Sequence, residues 1–130
     1  MLIKTVKKVS QLGLAIVAIS ATPALAAPMS PQEILALYSD SSHLSANGNN
    51  INYAAPDGSF KITNMKTGET LNFKWYVTNK SNICIVGKKK SCWKATQTKT
   101  EVCFSAKGKR FCRAKDAYMR GDRTSAYVKK

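Results

Sequence analysis

Two segments of this sequence, ICIVGKKKSCWKA at residues 83–95 and VCFSAKGKRFCRAK at residues 102–115, set a lysine-rich tip between paired cysteines. If each segment folds back on itself as an antiparallel hairpin, its two cysteines face each other, and so do two of its large apolar side chains. A register that makes both matches in both segments is specific to hairpins. We therefore predict two disulfides, Cys84–Cys92 and Cys103–Cys112.

The predicted turns of these hairpins are short. A tight loop at residues 87–89 closes the first, and a two-residue turn at residues 107–108 closes the second. Disulfides across loops of this size would each stabilise the fold by roughly 2–3 kcal/mol, because they reduce the entropy of the unfolded chain. Metal ligation is not predicted, because the cysteines lack the close Cys-x-x-Cys spacing of zinc sites and His43 is the only histidine.

The first 26 residues are typical of a secretory signal. Lysines at the start precede an apolar stretch of about a dozen residues, and the small side chains of Ala24 and Ala26 precede a predicted cleavage before Ala27. The apolar stretch is shorter than the roughly 20 residues that span a bilayer. We predict a signal at residues 1–26 and a single β-rich domain at residues 27–130. The domain would be periplasmic or secreted, where oxidising conditions favour disulfides.

Basic residues are concentrated in one half of the predicted domain. The chain of 130 residues has a formal net charge of +14 at pH 7. Residues 27–83 carry four lysines and four acids, whereas residues 84–130 carry fourteen lysines and arginines against three acids, a net charge of +11. Lysines on a hairpin tip have a purely structural explanation, because charge keeps a tip solvated and opposes association through sheet edges. A basic surface confined to one half, however, predicts anion binding. The predicted anion-binding residues are Lys88, Lys89, Lys90, Lys94, Lys107, Lys109, Arg110 and Arg113.

The remaining chain predicts one helix followed by short strands. SPQEILALY at residues 30–38 begins with a capping box and a proline, as helices do. Residues 70–77 alternate apolar and polar side chains and predict a strand with Leu71 and Trp75 on its buried face. Residues 41–50 predict a polar loop, and residues 117–130 a last hairpin that turns near Gly121-Asp122.

Together these elements predict an α+β fold that is mostly β. We expect an antiparallel meander, or small barrel-like sheet, of about eight short strands with one N-terminal helix and two disulfide-stapled hairpins.

In its order of short motifs, the chain resembles the domain of unknown function 995 family, which consists of small exported proteins of proteobacteria. The resemblance covers about residues 30–128. The matching positions are Tyr53, Ala55, Pro56, Asp57, Gly58, Trp75, Val77, Cys84, Cys92, Gly121 and Asp122. The chain departs from the pattern at Phe73, where the family has a glycine, and in its second cysteine pair and its basicity. The resemblance implies export and a β-rich fold, and it implies no activity.

These observations predict a non-enzymatic binding protein without a cofactor. No spacing of nucleophile, base and orienting acid around His43 suggests catalysis. The predicted partner is an anionic envelope polymer, namely acidic polysaccharide, lipopolysaccharide or an anionic membrane surface. An acidic protein is the alternative that the sequence does not separate from it. Nucleic acid is disfavoured, because the predicted register buries the aromatic residues Trp93, Phe104 and Phe111 in the core.

Overall fold

The computed structural model describes residues 26–129 of the chain, and in this part ten strands and two α-helices are found. The predicted signal at residues 1–26 lies outside the described residues except for Ala26. In chain order the elements are β1 (Ala27–Pro28), α1 (Pro31–Tyr38), β2 (Ser41–Leu44), β3 (Asn50–Ala54), β4 (Ser59–Asn64), β5 (Thr70–Val77), β6 (Asn82–Val86), β7 (Lys90–Gln97), β8 (Glu101–Ala106), β9 (Lys109–Ala114), a 3-10 helix (Lys115–Ala117), β10 (Met119–Arg120) and α2 (Thr124–Tyr127).

The strands form one antiparallel sheet in which β2 to β9 follow each other as a meander. The chain closes back on this meander at two places. The short strand β10 pairs with β2 at one edge, and β1 pairs with residues 96–97 of β7. The sheet curls into a half-barrel. The predicted class, mostly β and antiparallel with one helix near the start, is confirmed.

Both predicted hairpins are confirmed with the predicted register. Cys84 pairs with Cys92 between β6 and β7, and Cys103 pairs with Cys112 between β8 and β9. Each pair forms a disulfide. The apolar pairs that the same register predicts, Ile83 with Trp93 and Phe104 with Phe111, are also opposite each other.

Helix α1 begins as its sequence predicts. The Ser30 side chain accepts a hydrogen bond from the Glu33 backbone nitrogen, and the Glu33 carboxylate accepts one from the Ser30 backbone nitrogen. The helix buries Ile34 and Tyr38 inside the curled sheet. The Tyr38 ring lies among the rings of the core, with centroid distances of 5.5 Å to Trp75 and 6.3 Å to Phe60. The helix therefore fills part of the space that the half-barrel encloses.

Two parts of the predicted layout are wrong. Residues 41–44 form strand β2 and not a loop, because this segment pairs with β3 on one side and β10 on the other. The chain after residue 114 forms no last hairpin. Instead, the Arg120 guanidinium donates hydrogen bonds to the carbonyl oxygens of Leu37 and Ser39 at the end of α1. A cation is favourable there, because helix carbonyls concentrate negative charge at that end.

The buried face of β5 is shorter than its alternation predicts. Trp75 is buried, and its indole nitrogen donates to the Ala55 carbonyl at 2.8 Å. Leu71, in contrast, is 54% exposed, because this end of β5 extends beyond the part of the sheet that packs against the core. Neither helix of the described residues is long enough and apolar enough to cross a bilayer.

Candidate functional site

The two lysine-rich tips lie at the same end of the sheet. Successive turns of a meander alternate between its two ends, so the β6–β7 and β8–β9 turns share an end and the β7–β8 turn lies at the other. In the first tip the backbone nitrogen of Gly87 donates to the Lys89 carbonyl at 3.0 Å. In the second, Lys107 and Gly108 have φ values of 49° and 78°. Two consecutive residues with positive φ are typical of the type I′ turn that matches the twist of a hairpin.

A groove between the tips brings their charges together. Lys90 of the first hairpin lines the groove with Lys107 and Lys109 of the second, and the half-buried ring of Trp93 lines it as well. The groove has a volume of about 180 Å³. Three lysines from two separate hairpins thus line one concave surface, and several positive charges close together attract a partner with several negative charges.

Four of the other five predicted anion-binding residues are exposed on the two hairpins. Lys88 and Lys89 are exposed on the first tip, and Arg110 is exposed next to the second, with its Nη2 3.4 Å from the Cys103 sulfur. Lys94 is exposed farther along β7, where it pairs with Asn82 and Ser105. Arg113 is the exception, because it is half-buried and lines the interior of the half-barrel instead of the tip region.

The interior of the half-barrel contains a cavity of about 170 Å³. Its walls come from strands near both edges of the meander, because the curl of the sheet brings β2, β3 and β4 opposite β8 and β9. Most of the wall is apolar and aromatic, including Phe60, Ile85 and Trp93. Ser45 and Ala46 of the β2–β3 loop also line it, on the same side as the lysine tips. The described residues that line this cavity include no Asp or Glu.

His43 is a wall residue of this cavity, and the expectation that it lies in a solvated loop is wrong. Its side chain is only 3% exposed, between the rings of Tyr38 and Tyr118 at centroid distances of 5.3 Å and 5.1 Å. Asn52 of the neighbouring strand places its amide nitrogen 3.3 Å from His43 Nε2. An amide nitrogen can only donate, so Nε2 accepts and the proton of the neutral ring lies on Nδ1.

This pair leaves two buried polar atoms without a partner. His43 Nδ1 and Asn52 Oδ1 make no hydrogen bond to any described residue. The first is a donor and the second an acceptor, and a buried polar atom without a partner destabilises a fold by about 1–3 kcal/mol. Burial, together with the positive charge of Arg113, lowers the pKa of His43 to about 3, so the ring is neutral at physiological pH. The His43 side of the cavity wall is therefore neutral and adds no second cation.

Arg113 supplies the charge of the cavity. Its Nη1 donates to the Tyr118 hydroxyl at 3.0 Å, and its guanidinium lies 5.5 Å from the Phe111 ring centroid and 5.6 Å from that of Tyr118. Ring faces attract a guanidinium and hold its orientation. Among residues 26–129 the ion pair found is Lys61 with Asp122, so no carboxylate in this range neutralises Arg113.

One cluster of potential metal ligands occurs within the described part of the chain. Glu101, Cys103 and Cys112 bring one ligand atom each within 4.8 Å of one another. The two sulfurs are bonded to each other, however, and a disulfide does not provide the thiolate that metal binding requires. This cluster is therefore a consequence of hairpin pairing.

Comparisons with protein families, with curated proteins and with solved structures found no match to this chain. The resemblance to the domain of unknown function 995 family stays a prediction.

Sequence reasoning located the tips but missed the cavity. Each tip is enclosed by residues close in sequence, so the spacing of cysteines and lysines was sufficient to predict where the tips lie. Three of the polar residues of the cavity, in contrast, are residues 43, 52 and 113, which only the curl of the sheet brings to one place. The one signal in the sequence was a single histidine between Ser42 and Leu44, which does not distinguish a strand from a loop.

Proposed function

We propose that this protein is a non-enzymatic binding protein of the periplasm or the extracellular space, and that its two basic hairpin tips together bind an acidic polysaccharide. The supporting observation is the groove that Lys90 shares with Lys107 and Lys109. The two disulfides belong to the same two hairpins. Disulfides of this kind are typical of exported proteins, which meet acidic polysaccharides in the bacterial envelope.

Several lysines are needed for such binding, because one exposed ion pair contributes only about 0–1 kcal/mol. A polymer with regularly spaced carboxylates or sulfates contacts several ammonium groups at once, and its binding releases counterions. A stapled hairpin holds its lysines in place before binding, so less conformational entropy is lost when the complex forms. The tip lysines are exposed and therefore accessible to a polymer.

The positions of the aromatic residues favour a polysaccharide over nucleic acid. Bases bind by stacking on exposed rings. In the basic half, Phe104 is buried, and Trp93 packs against Phe111 with ring centroids 5.3 Å apart. These rings are part of the core and the cavity wall, and of the three only the half-buried Trp93 also lines the tip groove, so the groove offers a base at most one partly covered ring. An acidic protein would contact the same lysines and remains the alternative.

The proposal is tested with three variants that each remove three positive charges. The tip-1 variant carries Lys88→Gln, Lys89→Gln and Lys90→Gln. The tip-2 variant carries Lys107→Asn, Lys109→Gln and Arg110→Gln, with asparagine at 107 because it tolerates positive φ. The distal variant carries Lys66→Gln, Lys80→Gln and Lys99→Gln, three exposed lysines in the β4–β5, β5–β6 and β7–β8 turns.

Binding to a heparin oligosaccharide is measured by calorimetry at low salt. Both tip variants should bind about 10-fold or more weakly than the unmodified protein, and the distal variant should bind nearly as tightly as it. An equal loss of affinity in all three variants would show that the binding is only the general attraction between a basic protein and a polyanion. A protein that retains no heparin but captures an acidic protein from envelope extract, in a manner dependent on the tips, would favour the alternative partner.

A further inference from the structure

We propose that the interior cavity is a second binding site, for a small aromatic carboxylate that also carries a hydroxyl group, with the carboxylate on Arg113. This site is separate from the basic tips, and it does not depend on the function proposed for them. It rests on the size of the cavity, on its unpaired polar atoms and on the position of one arginine.

The apolar part of the ligand follows from the cavity itself. An apolar cavity of ~150 Å³ in another protein admits benzene, and this cavity measures about 170 Å³. Its wall combines the faces and edges of Phe60, Trp93, Phe104 and Phe111 with aliphatic side chains. Aromatic rings pack favourably on such walls in offset or edge-on arrangements. A single six-membered ring therefore matches both the volume and the lining.

The carboxylate follows from Arg113. One nitrogen of its guanidinium donates a hydrogen bond to the Tyr118 hydroxyl. No carboxylate of the described residues forms an ion pair with Arg113. The guanidinium is planar and its fork of donors fits the two oxygens of a carboxylate, so it binds this group better than a lysine would. The rings of Phe111 and Tyr118 keep the guanidinium in place at the cavity wall.

The hydroxyl follows from the His43–Asn52 pair. His43 Nδ1–H lacks an acceptor and Asn52 Oδ1 lacks a donor within the described chain. A hydroxyl is a donor and an acceptor in one atom, so it complements either of these groups. Ordered water would satisfy the same atoms without any ligand. Experiment therefore decides between ordered water and the hydroxyl group of a ligand.

The direct test uses the whole domain and three probes of equal ring size: 4-hydroxybenzoate, benzoate and phenol. Binding is followed by amide chemical shifts in NMR, which separate the cavity wall from the tip groove that Trp93 also lines. We expect 4-hydroxybenzoate to bind with at least 5-fold higher affinity than either benzoate or phenol, and the shifts to occur at residues of the cavity wall. Absence of binding up to 10 mM, or shifts confined to the lysine tips, would overturn the proposal.

Two variants assign the roles of the polar groups. Arg113→Gln should weaken benzoate binding about 10-fold or more and leave phenol binding unchanged. Asn52→Ala should abolish the preference for 4-hydroxybenzoate over benzoate and leave benzoate affinity unchanged. Circular dichroism checks that each variant folds. If a variant does not fold, Ile85→Phe, which fills the cavity from an apolar position, should abolish binding of all three probes. Binding that persists in the filled cavity would overturn the proposal, and so would equal affinities of 4-hydroxybenzoate, benzoate and phenol.

Discussion

Phe73 lies over Gly87, so closely that a Cβ atom on residue 87 would be 2.8 Å from the Cδ2 and Cε2 atoms of the ring. The two residues face each other across β5 and β6, one step beyond the paired residues Lys74 and Val86. Phe73 is also the position at which this chain departs from the motif pattern that it otherwise resembles. The first lysine tip thus begins at a glycine that the neighbouring aromatic ring requires.

Replacing this glycine should destabilise the fold by steric overlap. We expect Gly87→Ala to lower the free energy of unfolding by about 1–3 kcal/mol, as overpacking does. Chemical denaturation measures the effect. In the Phe73→Ala background the same substitution should cost much less, because the ring is gone. Equal losses in both backgrounds would show that the conformation of residue 87, and not contact with the ring, is responsible.

Removal of a core ring should have a larger effect. Trp75→Ala should lower the free energy of unfolding by about 3–5 kcal/mol, since it leaves a cavity and removes the indole hydrogen bond to the Ala55 carbonyl. Lys74→Ala, next to it on the exposed face of β5, should change stability by less than about 0.5 kcal/mol. Thermal or urea unfolding measures the free energy of unfolding of both variants. Similar losses in the two variants would contradict the observed orientation of this strand.

We expect the purified protein to contain both disulfides with the pairing seen in the structure. Mass spectrometry of peptides prepared without reduction should link Cys84 to Cys92 and Cys103 to Cys112. Replacing either pair by alanine should lower the free energy of unfolding by roughly 2–3 kcal/mol, because each closes a short loop. A link between Cys84 and Cys103 would contradict the register of both hairpins.

Burial of His43 should make the fold sensitive to mild acid. Its pKa is lowered to about 3 in the fold, whereas the unfolded chain titrates near the usual 6.5. Below pH 6.5 the unfolded state therefore binds more protons, and stability decreases as pH decreases, by at most ~1.4 kcal/mol per pH unit, until about pH 3. Carboxylates such as Asp57 and Asp122, whose pKa values are lowered, contribute only at more acid pH.

Denaturation between pH 7 and pH 4.5 tests this prediction. The unmodified protein should lose stability over this range, and His43→Gln, which cannot gain a proton, should lose much less. If both proteins show the same pH dependence, His43 is protonated in the folded state and is less buried than the structure has it.

The sequence was sufficient for the parts of the fold that are local. The cysteine hairpins and the capping box of α1 depend on residues a few positions apart. The pairing of β10 with β2 joins Met119 to Ser42, and no local pattern encodes it. The same holds for the interior site, since alternation marks which residues face inward but not how far the sheet curls. Arg113 accordingly looked like one more basic residue of the tip.

The salt dependence of heparin binding tests the central claim, that the two lysine tips form one anion-binding surface. Affinity is measured over a series of salt concentrations for the unmodified protein and for the tip-1, tip-2 and distal variants. Because each lysine that contacts the polymer releases counterions, the logarithm of affinity should fall with the logarithm of salt concentration. The account predicts a clearly shallower slope for both tip variants and an unchanged slope for the distal variant. Equal slopes for the three variants would contradict it.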